Sequence, residues 1–226
     1  MKPDYSLYLV TDRITMGTRT LGEAVEQAAA GGCTVVQLRE KEISSLDFYI
    51  LASEIKKITD RYGIPLIIND RIDIALAAGA AGVHVGQRDL PADIVRKVIG
   101  KDMLLGVSVS SEGEAINAVK AGADYLGVGA MFPTRTKPDA EFVSMEELEK
   151  IRRAVDIPIV VIGGINRENA RLFKPMGIDG LAVVSAVLAQ PDIKKSADDL
   201  KSLFLGKGRM SGSSMRTNVL KSTVQI

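Results

Sequence analysis

Cysteine and histidine each occur once in these 226 residues. A lone Cys33 excludes an internal disulfide framework and fits a reducing compartment. No His or Asn motif accompanies it, so it reads as a buried strand-edge residue rather than a nucleophile. A lone His84, with no second His or Cys ligand near it, argues against a zinc site. Basic and acidic residues nearly cancel, 29 against 28, without the basic excess of a general nucleic-acid binder. No apolar run approaches the ~20 residues of a membrane span. The segment MKPDYSLYLV places Pro3 and Asp4 where the apolar core of a signal peptide would develop. The expectation is a cytoplasmic protein that engages neither nucleic acid nor membrane.

What the chain does have is short, nearly continuous apolar runs rich in Val, Ile and Leu. They fall at 6–12, 34–41, 65–70, 82–87, 103–110, 125–132, 158–165 and 180–188. Runs of this kind mark strands buried on both faces, as in parallel sheets. Between them lie segments with apolar residues at three- and four-residue spacing, the mark of amphipathic helices. Thr20 with Glu23, Ser111 with Glu114 and Ser144 with Glu147 have the spacing of capping boxes at helix starts. AGGCTVVQ, AGAAGVHVG, AGADYLGVG and MGIDGLAVV each put a helix-ending glycine shortly before a strand. Eight strands alternating with eight helices predict an α/β fold, a (β/α)8 TIM barrel forming a single domain over 1–205. A doubly wound open sheet is the alternative, but no GxGxxG follows the first strand. Residues 206–226 hold four basic residues and no acid; they read as a flexible, basic, Gly/Ser-rich tail. Without them the chain has 25 basic against 28 acidic residues, a net charge of −3.

A barrel does not name a function, but it places the active site at the C-terminal ends of its strands. Gln37, Arg39 and Lys41 alternate through VVQLREK, so one strand face would carry an amide, a guanidinium and an ammonium. An anion-binding column is one reading; a charged strand end pairing with Glu40 and Glu42 is the other. Asp70 ends the third run and Asp89 follows the fourth, a neighbouring strand in a barrel. Side-by-side carboxylates suit a hard cation such as Mg2+, although each could instead cap a helix or turn. His84 reads as a hydrogen-bonded core residue or a general base. The connection Pro133 to Val143 is long for a βα loop and gathers Thr134, Arg135, Thr136 and Lys137 between two prolines. Hydroxyls with cations recognise phosphate, unless the loop is simply solvated. Gly163, Gly164 and Ser185 end the seventh and eighth runs, where barrels often bind phosphate; a structural Gly-Gly turn remains the alternative.

Taken in order, YLVTD, QLREK, IINDR, GVHVGQRDLP, GVSVS, FPTRTKPDA, IGGI and VVSA resemble the thiamine phosphate synthase family from residue 8 to 188. The resemblance implies a transferase that joins an aminopyrimidine methyl diphosphate to a thiazole phosphate, releasing diphosphate and giving thiamine phosphate. It implies Mg2+ at Asp70 and Asp89. It implies that the pyrimidine diphosphate meets Gln37, Leu38, Arg39, Glu40, Lys41, Asn69, Ser108 and Lys137. The thiazole phosphate would meet Thr134, Arg135, Thr136, Gly164, Val184 and Ser185. Of these, Arg39, Lys41, Ser108 and Lys137 are the candidates for the chemical step. A thiazole tautomerase or regulatory relative and a non-catalytic phosphate-ligand sensor are the competing readings. Homo-oligomerisation is left open.

Overall fold

The computed structural model describes residues 3–17, 19–134 and 141–207. Eight parallel strands close into a barrel in chain order. They are β1 (Leu7–Val10), β2 (Val35–Leu38), β3 (Leu66–Asn69), β4 (Gly82–Val85), β5 (Leu104–Val109), β6 (Tyr125–Val128), β7 (Ile159–Ile162) and β8 (Gly180–Val183). Each lies inside one of the eight apolar runs. Strand side chains alternate between the two faces, and this splits the core in two. Tyr8, Val10, Val35, Ile67, Tyr125 and Val160 fill the barrel interior. Leu7, Leu9, Val36, Leu38, Leu66 and Ile68 face outward, into the layer shared with the helices.

The outer ring is α1 (Leu21–Ala30), α2 (Ser45–Arg61), α3 (Ile72–Ala77), α4 (Ala92–Ile99), α5 (Glu112–Lys120), α6 (Met145–Ala154), α7 (Ser185–Leu188) and α8 (Ile193–Phe204). Among the described residues strict alternation fails at two places, before and after β8. Between β7 and β8 the expected helix is replaced by two 3-10 turns, Ala170–Leu172 and Lys174–Met176. Pro175 sits in the second turn; it offers no amide donor, so an α-helical ladder stops there. The count of eight is restored after β8, where α7 and α8 follow in succession.

Local signals hold unevenly. At α1 the capping box is complete, with Thr20 Oγ1 accepting from Glu23 N at 3.2 Å and Glu23 Oε2 from Thr20 N at 2.9 Å. Ser111 and Ser144 cap α5 and α6, but their glutamates do not reciprocate. Glu114 accepts from Ser110 N at 2.6 Å. Glu147 reaches across to Glu112 N, at 2.9 Å, and ties α6 to the start of α5. The predicted helix-ending glycines Gly32, Gly79, Gly122 and Gly177 all take positive φ.

The N-terminal end of the barrel is closed by two matching clamps. Arg96 of α4 pairs with Asp124 at 2.5 Å and donates to the carbonyls of Gly100, Met103 and Gly122. Asp124 in turn accepts from Leu105 N of β5 at 2.7 Å. Arg152 of α6 repeats this with Asp179, at 3.2 Å, and Asp179 accepts from Ile159 N of β7 at 2.8 Å. Helix α8 ends at Phe204 with Leu205 as its cap; Gly206 then takes φ +72° and Lys207 N donates back to Ser202 O at 2.8 Å. The rest of the tail expected over 206–226 lies outside the described residues.

Candidate active site

The pairing of β3 with β4 sets the first part of the mouth. Asn69 lies opposite His84, and Asp70 N donates to His84 O at 2.9 Å, which fixes where Asp70 leaves the sheet. Asp70 then takes φ +60°, a left-handed conformation that Asp and Asn tolerate better than most residues. Its side chain is not a helix cap, since the N-terminus of α3 has no side-chain hydrogen bond. Instead the carboxylate reaches Lys41 Nζ at 2.5 Å, accepts from Asn69 Nδ2, and lies within hydrogen-bonding reach of the Asp89 carboxyl. Asp89 is held independently: its Oδ2 accepts from Gly86 N at 2.7 Å, closing the turn after β4. Burial pushes the Asp70 pKa up, Lys41 pulls it down, and the facing Asp89 raises it again; the net shift is upward.

Among the described residues no group of three or more His, Cys, Asp or Glu is gathered. Two carboxylates are nonetheless enough for Mg2+, which usually takes one or two together with substrate phosphates. The donor set fits. Asp70 and Asp89 both offer carboxylate oxygens, they face one another, and their mutual repulsion is what a divalent cation would relieve.

The expected column on β2 forms only at its base. Thr11 N donates to Gln37 O at 2.9 Å, but Arg39 N turns to Thr11 Oγ1, at 2.9 Å, instead of continuing the ladder. The strand therefore ends at Leu38, and Arg39 and Lys41 follow it as loop residues. Lys41 still arrives at the mouth, through Asp70. Glu40 pairs with Arg13 at 2.8 Å and not with a neighbour on its own segment. The Leu38 side chain lies wholly in the outer core.

Below the mouth, polar side chains from five strands form one connected chain. Gln37 Nε2 donates to Tyr8 Oη at 2.8 Å, and Tyr8 Oη meets Tyr125 Oη at 2.7 Å. Tyr125 Oη meets His84 Nδ1 at 3.1 Å, and His84 Nε2 meets Ser108 Oγ at 2.8 Å. His84 is thus a hydrogen-bonded interior residue, and Ser108 and Gln37 are joined through it. Sequence reasoning missed Tyr8 and Tyr125. Their signal was the glycine at 106 and at 127: a Cβ on Gly106 would lie 2.2 Å from Tyr125 Cζ, and one on Gly127 would lie 3.0 Å from His84 Cε1.

The third part of the mouth joins the loop after β6 to the ends of β7 and β8. Met131 N donates to Ile162 O at 2.9 Å and Phe132 N to Gly163 O at 3.1 Å. Gly164 lies so close beneath that loop that a Cβ would come within 2.7 Å of Pro133 O, which sets Thr134 beside it in the chain. Ile162 pairs with Ala182, so Gly164 and Val184, each two residues further on, leave the sheet side by side. Ser185 opens α7 and is exposed. Arg135, Thr136 and Lys137 lie outside the described residues.

Closed strands, opposed acids and a lysine at the C-terminal mouth define a (β/α)8-barrel enzyme. The particular branch comes from comparison. A family model described as thiamine monophosphate synthase matches residues 7–187, and the chain belongs to that family. It is 64% identical over 207 residues to the thiamine-phosphate synthase of Clostridium beijerinckii, covering 91% of this chain and 99% of that one. The thiamine-phosphate synthase of Ruminiclostridium cellulolyticum is also 64% identical, over 206 residues, covering 91% of this chain and 98% of its own length. A solved structure of thiamine phosphate pyrophosphorylase from Pyrococcus furiosus superposes with a TM-score of 0.84 at 38% identity, covering 91% of this chain and 98% of that one.

Proposed function

We propose that this enzyme displaces diphosphate from an aminopyrimidine methyl diphosphate with the ring nitrogen of a thiazole phosphate, in its decarboxylated or carboxylated form, giving thiamine phosphate. The observation that carries this reading is the pair Asp70 and Asp89, facing one another beside Lys41 at the ends of β2, β3 and β4. The two acids would hold Mg2+. When bound, the cation supplies positive charge against the diphosphate and fixes its orientation. Lys41, with Arg39 at the same strand end and Lys137 from the loop after β6, would neutralise the charge that collects on the leaving oxygens. Fixed cations of this kind stabilise the transition state more than the substrate.

The bond between the pyrimidine methylene carbon and the diphosphate oxygen breaks, and its electrons leave with the diphosphate. The thiazole nitrogen supplies the pair for the new carbon–nitrogen bond. The electron-rich aminopyrimidine delocalises the developing cation, so no protein nucleophile is needed. Gln37, Asn69 and Ser108 would seat the pyrimidine, with Leu38 contributing from the end of β2 and Glu40 from the loop after it. Thr134, Arg135, Thr136, Gly164, Val184 and Ser185 would bind the thiazole phosphate. That division is supported by the close approach of Gly164 to Pro133 and by the register that sets Val184 beside it. The barrel over 1–205 would be the catalytic unit, with 206–226 as an appended tail, working in the cytoplasm. No helix among the described residues is long and apolar enough to cross a membrane.

Incubating the purified protein with Mg2+ and both heterocycles should release diphosphate and give thiamine phosphate by mass spectrometry. Thiazole phosphate binding in a calorimeter without diphosphate release would refute the transferase and favour a tautomerase or sensor.

A further inference from the structure

The hydrogen-bond chain inside the barrel has a direction, and proton counting gives it. Burial raises the pKa of both Tyr8 and Tyr125, so each phenol keeps its proton. The Gln37 amide nitrogen already donates to Tyr8 Oη. The Tyr8 proton therefore goes to Tyr125 Oη, the other oxygen it meets. Tyr125, having accepted, gives its own proton to His84 Nδ1. With Nδ1 accepting, a neutral imidazole carries its hydrogen on Nε2 and donates it to Ser108 Oγ. Ser108 has then filled an acceptor position and retains its own O–H to donate. At the other end Gln37 has committed its amide nitrogen and retains its oxygen to accept.

Two strands give up side chains to make room for this chain. A Cβ on Gly106 would sit 2.4 Å from His84 Nδ1 as well as against the Tyr125 ring, and Gly127 lies under the other edge of the imidazole. We propose that His84 is a positioning residue: fixed in its Nε2–H tautomer by Gln37, Tyr8 and Tyr125, it holds Ser108 as a hydrogen-bond donor toward an acceptor atom of the pyrimidine diphosphate. The unlike ends, an acceptor on Gln37 and a donor on Ser108, suit a ligand that carries both an amine and a ring nitrogen. The role of Ser108 rests on the transfer reaction proposed above; the tautomer does not.

Because His84 is the chain's single histidine, isotope-labelled histidine gives one imidazole in a long-range proton–nitrogen correlation spectrum. The substrate-free enzyme at neutral pH should show a protonated Nε2 and a bare Nδ1. A protonated Nδ1, or a doubly protonated ring, would overturn the direction of the chain. In Gln37→Glu burial favours the neutral acid, which still donates. Once pH is raised until the carboxyl carbon signal shows it ionised, it can only accept, so the chain should reverse and the proton move to Nδ1; an unchanged tautomer beside an ionised carboxylate would remove Gln37 as its cause. Tyr125→Phe should lower kcat by about tenfold, less than the ~100-fold typical for loss of a direct donor. It should lower it no further once Ser108→Ala is present. An equal drop in both backgrounds would reduce Tyr125 to packing and sink the positioning role. If the wild-type enzyme makes no thiamine phosphate, the transfer reaction fails and the Ser108 role with it, while the tautomer stands or falls on its spectrum.

Discussion

Asp70→Asn should make the metal-free protein more stable while removing its response to Mg2+. Asparagine has nearly the same shape, tolerates φ +60° as aspartate does, and keeps an oxygen for the Asn69 amide; its other terminus becomes an NH2 donor that can face Asp89 but no longer accepts from Lys41. Two unit charges ~4 Å apart at an effective dielectric of ~20 repel by roughly 4 kcal/mol. The exposure of Asp89 and ordinary salt cut this to about 1–2 kcal/mol. Against that gain stands the lost pair with Lys41, whose side chain is 53% exposed; such a pair is worth ~0–1 kcal/mol. The net is a gain of about 1 kcal/mol, or ~2–4 °C in Tm for a domain of this size.

The pH dependence has a definite sign. A carboxyl whose folded pKa is raised contributes its full stability below the unfolded pKa and loses it as pH climbs through the folded value. Wild type and variant should therefore match in acid and separate as pH rises through the elevated Asp70 pKa. Mg2+ should invert the order, adding about 2.7 kcal/mol to the wild type at a hundredfold excess over Kd. Thermal unfolding followed by circular dichroism, in chelator and then in Mg2+, reads all of this. A variant less stable than wild type in chelator at neutral pH, or an equal Mg2+ stabilisation of both proteins, would refute the reasoning.

Arg96→Ala should cost about 2–4 kcal/mol in urea unfolding, because it strips partners from three carbonyls and leaves Asp124 without its cation; kcat should change little, since the clamp lies at the far end of the barrel. Cys33 is buried, donates its thiol to Val35 O at 3.1 Å, and has its pKa pushed up to about 11. A chromogenic disulfide reagent at mildly alkaline pH should label it only at the rate of unfolding, and rapid labelling of the native protein would contradict its placement.

The barrel was legible because parallel strands buried on both faces read as continuous β-branched runs, and eight of them leave few topologies open. The helix expected between β7 and β8 was not, since Pro175 breaks a segment whose apolar spacing still looks helical. Asp70 and Asp89 could be found because one follows directly on β3 and the other lies in the short turn after β4. Their confrontation depends on the Asp70 bond to His84 O, a contact between strands, acting together with the local turn that Asp89 closes at Gly86. The column from Gln37 to Lys41 was overextended for a similar reason. Strand alternation predicts facing only while the ladder lasts, and the side chain of Thr11, just past β1, ended it at Leu38. Tyr8 and Tyr125 were hidden because their partners lie on strands far away in sequence, and a lone tyrosine in an apolar run looks like filler. Glu147 shows the same limit at a helix start: local spacing promised a box, and a neighbouring helix took the carboxylate.

The arginine clamps have one more implication. Both fasten a helix to the two strands that follow it, at the rim opposite Asp70, Ser108 and Gly164, and neither borrows an atom from that working rim. Foldedness and chemistry are thus anchored at separate poles of the same cylinder. A lineage carrying this arrangement can trial new residues around its substrates without loosening the scaffold beneath them.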